Sequence, residues 1–144
     1  MEALIRWHDG NGKLVSPAEF IPLAEETGLI IPIGKYVLLQ ACQDTRKLHE
    51  MGYPVCISVN ISAVQFREES FLGMVKGILI DSGLAAQWLE LEITEGVLAR
   101  DIDNARETLM ALKALGVHVA IDDFGTGYSS LAYLKRFQIG RAHV

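Results

Sequence analysis

Three short segments of the chain alternate apolar and polar side chains: "VCISVNIS" at 55–62, "LELEITE" at 89–95 and "VHVAIDDF" at 117–124. Alternation of period two predicts a strand in each, and "EALIRW" at 2–7 predicts a further strand at the start. The segments between them have helical period. "SPAEFIPLAEETG" starts on a Ser16 cap with Pro17 in the first turn and Glu19 three residues after the cap. "IPIGKYVLLQACQDTRKLHEMG" is a longer amphipathic helix ended by Gly52. "QFREESFLGMVKGILIDSG" closes at Gly83, and "DIDNARETLMALKALG" runs from an Asp101 cap to Gly116. Strands alternating with helices predict an α/β fold with a parallel sheet.

Strand parity then sorts the side chains, because successive residues of a strand face opposite sides. Val55, Ile57, Val59 and Ile61 share one face, opposite Cys56, Ser58, Asn60 and Ser62. Leu89, Leu91 and Ile93 lie opposite Glu90, Glu92 and Thr94; Val117, Val119 and Ile121 lie opposite His118, Ala120 and Asp122. In the first segment Ala3, Ile5 and Trp7 oppose Glu2, Leu4 and Arg6. If the apolar faces pack on helices, the other faces converge, and each strand brings one oxygen-bearing residue: Glu2, Asn60, Glu92 and Asp122. Three of these sit toward the C-terminal strand ends, where parallel α/β proteins carry their active sites.

Three carboxylates and an amide oxygen in one place repel unless a cation neutralises them. The cluster therefore predicts a hard divalent metal, Mg²⁺ or Mn²⁺, rather than zinc, whose histidine and cysteine ligand spacing is absent. Asp123 has the opposite parity but stands where the strand breaks, so it can turn inward and reach a second ion; paired metals activate water in phosphodiester hydrolysis. Each residue taken singly has a plainer reading. "DD" after a strand is commonly a helix cap or solvated turn, Asn60 a satisfied polar residue, Glu92 an edge-strand surface residue, and Arg6 either a packed stem or a phosphate clamp. Glu95 equally orients a loop or caps a helix, and His118 is expected as a hydrogen-bonded interior histidine. The coincidence across four strands favours the cluster.

Composition narrows the class. With 144 residues, 50% of them hydrophobic, and a mean hydropathy of +0.24, the chain has material for one packed core. The net charge of −5 argues against a nucleic-acid polymer, which needs a basic stripe. The longest apolar run, at 29–39, is interrupted by Pro32 and Lys35 and is shorter than the roughly 20 residues of a spanning helix. No direct membrane contact is expected, and without a leader pattern the expected location is the cytoplasm. Cys42 and Cys56 build neither a CxxC pair nor a disulfide framework, so both are expected reduced, in or beside the core.

Taken together, "EALIRW", "SPAEFIPLAEETGLI", "SVNISAVQF", "LELEITE" and "IDDFGTGYSSLAYLKRF" resemble the EAL domain, the phosphodiesterase family that hydrolyses the bacterial second messenger cyclic di-GMP to linear pGpG. The resemblance covers nearly the whole chain. It implies a TIM-type (β/α)₈ barrel with one atypical antiparallel strand, two Mg²⁺ or Mn²⁺ ions and a homodimer. It makes Glu2, Asn60, Glu92 and Asp122 metal ligands and gives Asp123 to the second ion. It places Arg6 on a substrate phosphate and Leu4 near a guanine base, and has Glu95 tether the loop after "DDFG". Gly96 stands where the family usually has serine.

Such barrels need ~250 residues, so the resemblance implies an EAL domain incomplete in this chain, lacking a preceding strand and a later lysine, glutamate and glutamine. Residues 1–138 are expected to be partial EAL domain. The tail 139–144, "IGRAHV", resembles translated adapter sequence and is expected to be non-native. The segment alone is expected to be inactive, and an upstream sensor or GGDEF domain is compatible with the family. Two other readings stand beside hydrolysis: a degenerate EAL domain that binds cyclic di-GMP without cutting it, and a different metal-dependent barrel enzyme.

Overall fold

The computed structural model describes residues 1–94, 96–97, 102–122 and 141–142. Its elements are β1 (Glu2–Ala3), β2 (Trp7–His8), β3 (Leu14–Val15), α1 (Pro17–Thr27), α2 (Ile30–Glu50), β4 (Ile57–Asn60), α3 (Ala63–Arg67), α4 (Phe71–Ser82), β5 (Leu89–Thr94), α5 (Ile102–Leu115), β6 (His118–Asp122) and β7 (Arg141–Ala142). Five strands form one sheet in the order β1-β4-β5-β6-β7, with every pair parallel. Parallel neighbours need crossovers long enough for a helix, and α4 and α5 supply those from β4 to β5 and from β5 to β6.

The helix-facing side of the sheet is the one parity selected. Ile57, Val59, Leu89, Leu91, Ile93 and Ile121 are all buried, and α2, α4 and α5 cover them with Leu38, Val75, Ile78, Leu109 and Leu112. Each such side chain removed from water contributes about 2 kcal/mol. That apolar layer holds the opposite face in place. The helix ends expected at Gly52, Gly83 and Gly116 all have positive φ, which only glycine adopts without a Cβ penalty. Ser16 caps α1 by accepting from the Ala18 amide at 3.3 Å.

Two expected elements are divided. "EALIRW" is not one strand: the chain leaves the sheet after Ala3, and Trp7–His8 pairs antiparallel with Leu14–Val15. The cause is local turn chemistry. Asp9 Oδ1 accepts from the amides of Asn11 and Lys13, both at 2.9 Å, while Gly12 supplies φ of 80°. Trp7 then packs edge-on against Phe20 of α1, with ring centroids 5.7 Å apart, instead of joining the sheet face with Ala3. The helical stretch from Gln65 to Gly83 is also split, at Glu68, whose ψ of 130° is extended. The break lets Phe66 and Phe71, five residues apart and so on different sides of a continuous helix, both point into the core with centroids at 5.8 Å.

Of the two cysteines, Cys42 is fully buried and Cys56 is exposed, outside the core expected for it. Burial pushes the Cys42 thiol up to about 11. Among the described residues no helix is long and apolar enough to cross a membrane.

Candidate functional site

The register of the parallel strands sets where the polar side chains stand. Glu2 pairs with Ser58, Asn60 with Glu92, and Asp122 with Thr94. All these offsets are even, and a period of two keeps even offsets on one face. Glu2, Asn60 and Glu92 therefore occupy neighbouring strands of the same face, and the backbone of Asp122 holds the matching register position on β6. Asn60 and Glu92 are level; Glu2 starts two residues lower and Asp122 two residues higher, steps of about 7 Å along a parallel strand. The long Glu2 side chain bridges its step, and Asn60 Nδ2 donates to Glu2 Oε1 at 3.3 Å. Beyond the last ladder position of β4, the Ile61 amide donates to the Glu92 carbonyl at 2.8 Å, which fixes the exit of β4 against β5.

Glu2 and Asn60 are exposed and Glu92 is half-buried. The Asp122 backbone lies in β6; its side chain, together with Asp123 and Glu95, falls outside the described residues. Among the described residues no three His, Cys, Asp or Glu side chains form a group able to hold a metal. Two carboxylates and a carboxamide are the described portion of the expected donor set, and all are hard oxygen donors of the kind Mg²⁺ and Mn²⁺ take. His118 is corrected: as the first residue of β6, at the end of its strand, it is exposed rather than interior.

Leu4 and Arg6 follow β1 and line a cavity of about 440 Å³ whose wall also includes Asn60, Ser62, Gln65 and Thr94. Leu4 is 56% exposed, so its apolar side chain is available to a flat ligand surface. Arg6 donates from Nη1 to the carbonyl of Ile5 at 2.7 Å, a contact that holds the guanidinium at the cavity and leaves other donors of its fork. Thus Leu4, Arg6 and Asn60 share one cavity, and Glu2 and Glu92 adjoin it through Asn60.

The sequence reading missed one pair beside this site. Ser62 caps α3, and Gln65 completes a reciprocal capping box: Gln65 N donates to Ser62 Oγ at 3.2 Å and Ser62 N to Gln65 Oε1 at 3.1 Å. The Ser-x-x-Gln spacing directly after Asn60 was the available signal, as was Gly34 in the interior of a 21-residue helix. A Cβ at Gly34 would overlap Nε2 and Cδ of Gln65.

The whole chain, residues 1–144, matches the EAL domain family. The chain belongs to the EAL domain family. It is 44% identical over 143 residues to Signaling protein YkoW of Bacillus subtilis, covering 99% of this chain and 18% of that protein. It is 45% identical over 137 residues to the bifunctional diguanylate cyclase/cyclic di-GMP phosphodiesterase MucR of Pseudomonas aeruginosa, covering 94% and 20%. The solved structure of the PaMucR phosphodiesterase in complex with c-di-GMP superimposes with a TM-score of 0.93 at 44% identity, covering 98% of this chain and 57% of that one. The chain thus spans about a fifth of the length of these curated relatives. The parallel sheet and its helices are part of the TIM-type barrel of this family.

Proposed function

We propose that this EAL domain hydrolyses cyclic di-GMP to linear pGpG, and that Glu2, Asn60, Glu92 and Asp122 hold a divalent cation, Mg²⁺ or Mn²⁺, with Asp123 serving a second. The observation that supports the reading is the even register across β1, β4, β5 and β6, which is compatible with the positions of Glu2, Asn60, Glu92 and Asp122 sharing one sheet face in a staggered row. Names of the relatives support the substrate. MucR and the NbdA protein of Pseudomonas aeruginosa, 44% identical over 140 residues, are both named as cyclic di-GMP phosphodiesterases. A divalent cation bound there supplies positive charge to the phosphate and lowers the pKa of a bound water.

The remaining roles belong to the chain. Arg6 meets a phosphate oxygen through its fork of donors, Leu4 lies against the guanine face, and the Asn60 amide holds Glu2 in place while its own carbonyl oxygen serves as a donor atom. Glu95 tethers the loop that follows Asp122 and Asp123. The proposed setting is a homodimer in the cytoplasm, where the free thiols of Cys42 and Cys56 stay reduced.

The test is hydrolysis of cyclic di-GMP by the intact protein that carries this segment, followed by chromatography of the nucleotide product. Wild type is expected to form pGpG with Mg²⁺ or Mn²⁺. Glu92→Gln, which removes a charge while keeping shape, is expected to lower turnover by at least a hundredfold. Tight binding without turnover by wild type would instead identify a binding module, and turnover unchanged in Glu92→Gln would remove Glu92 from the site.

A further inference from the structure

Gln65 is 5% exposed, in a five-residue helix whose other buried side chain is Phe66. A buried carboxamide is costly unless its polar atoms are matched. Its Oε1 accepts from the Ser62 backbone amide at 3.1 Å, and the Gln65 backbone amide donates in return to Ser62 Oγ at 3.2 Å. The opposite side of the carboxamide lies on the backbone of α2 at Gly34, where any Cβ would overlap it. Glycine inside a long helix is unfavourable by propensity. Two locally unfavourable choices, a buried glutamine and a mid-helix glycine, therefore meet at one contact.

What that contact fixes is the exit of β4. Asn60 is the last residue of the strand, Ile61 is bonded to β5 through the Glu92 carbonyl at 2.8 Å, and Ser62 begins the box. The chain is pinned on one side of Asn60 by β1 and β5 and on the other by Gln65 seated on α2. We infer that Gln65, resting on Gly34, is a positioning residue for Asn60: it fixes the turn that aims the Asn60 side chain at Glu2 and at the cavity. The cation arm of its test rests on the cation reading proposed above, so a second readout is independent of that reading.

The readouts are Mn²⁺ affinity by calorimetric titration of the intact protein, and the hydrogen-exchange rate of the Ser62 amide and Asn60 side-chain amide by NMR. Gln65→Leu keeps the bulk over Gly34 and removes the acceptor; Gln65→Glu keeps the acceptor. Expected for Gln65→Leu is at least tenfold weaker Mn²⁺ binding and at least tenfold faster exchange at both amides, with Gln65→Glu within about threefold of wild type. Ser62→Ala removes the other half of the box while the residue-62 amide keeps its acceptor on Gln65; it is expected to speed exchange at the Asn60 side-chain amide as Gln65→Leu does, which decides the matter should the leucine variant not fold. Arg67→Ala, on the exposed side of the same helix, is expected to leave both readouts unchanged. Wild-type exchange at Asn60 in folded Gln65→Leu or in Ser62→Ala, or a Gln65→Glu protein as impaired as Gln65→Leu, overturns the proposal. If wild type takes up no Mn²⁺, the cation reading fails and the exchange rates alone decide the positioning role.

Discussion

Replacing Gly34 by alanine sets helix propensity against packing, and the structure gives the winner. Alanine in a helix interior is favoured over glycine by about 1 kcal/mol. Against this, the new Cβ would overlap Nε2 and Cδ of Gln65 and approach Oε1 to 3.1 Å. The buried carboxamide must either stay and crowd the new Cβ, at the ~1–3 kcal/mol typical of overpacking, or leave its seat and forfeit its half of the capping box. Set against the propensity gain, the balance is a net loss of up to ~2 kcal/mol. Gly73 in α4 is the matched control, because a Cβ there meets nothing within 4 Å; Gly73→Ala is expected to gain ~0.5–1 kcal/mol from propensity alone. Urea unfolding followed by circular dichroism measures both variants in the intact protein. Gly34→Ala must shift the midpoint down and Gly73→Ala up. A Gly34→Ala protein as stable as wild type, or stabilised like Gly73→Ala, would refute the claim that Gln65 needs that space.

Two further outcomes follow from the buried layer. Leu91 is 1% exposed on the central strand β5, so Leu91→Ala is expected to lose ~2–5 kcal/mol through lost burial and the cavity left behind, read from the same urea titration; a loss under 1 kcal/mol would mean that the helix layer does not close over β5. Cys42 has its thiol raised from 9.0 to about 11, so the folded state holds this proton more tightly than the unfolded chain. Its contribution is fully present below pH 9 and is lost as pH rises toward 11, by at most ~3 kcal/mol at about 1.4 kcal/mol per unit. Stability measured across that range is expected to fall in wild type and to lose this component of slope in Cys42→Ala, whereas identical slopes would show that Cys42 does not ionise on unfolding.

The parts of this fold legible in the sequence are those governed by local periodicity. Alternation at 57–60, 89–94 and 118–122 marks the strands and their buried faces, and glycines at 52, 83 and 116 mark helix ends, since both depend on backbone geometry that each segment carries by itself. What was not legible depends on contacts between distant segments. Trp7 follows the alternation of a strand, yet the Asp9 turn and Phe20 of α1 draw it into a hairpin. Glu68 sits in a helical pattern, yet the core position of both Phe66 and Phe71 requires a break there. At the site, parity placed Glu2, Asn60, Glu92 and Asp122 on one face, but the two-residue stagger between strands is a property of pairing, and the Gly34 and Gln65 contact joins segments 31 residues apart in the sequence.

The most direct test of the central claim is anomalous diffraction from crystals of the intact protein grown with Mn²⁺ and cyclic di-GMP. The account predicts a manganese peak within about 2.5 Å of oxygens from Glu2, Asn60, Glu92 and Asp122. A map with manganese bound elsewhere, or with these four side chains ligating nothing while the nucleotide is bound, would contradict it.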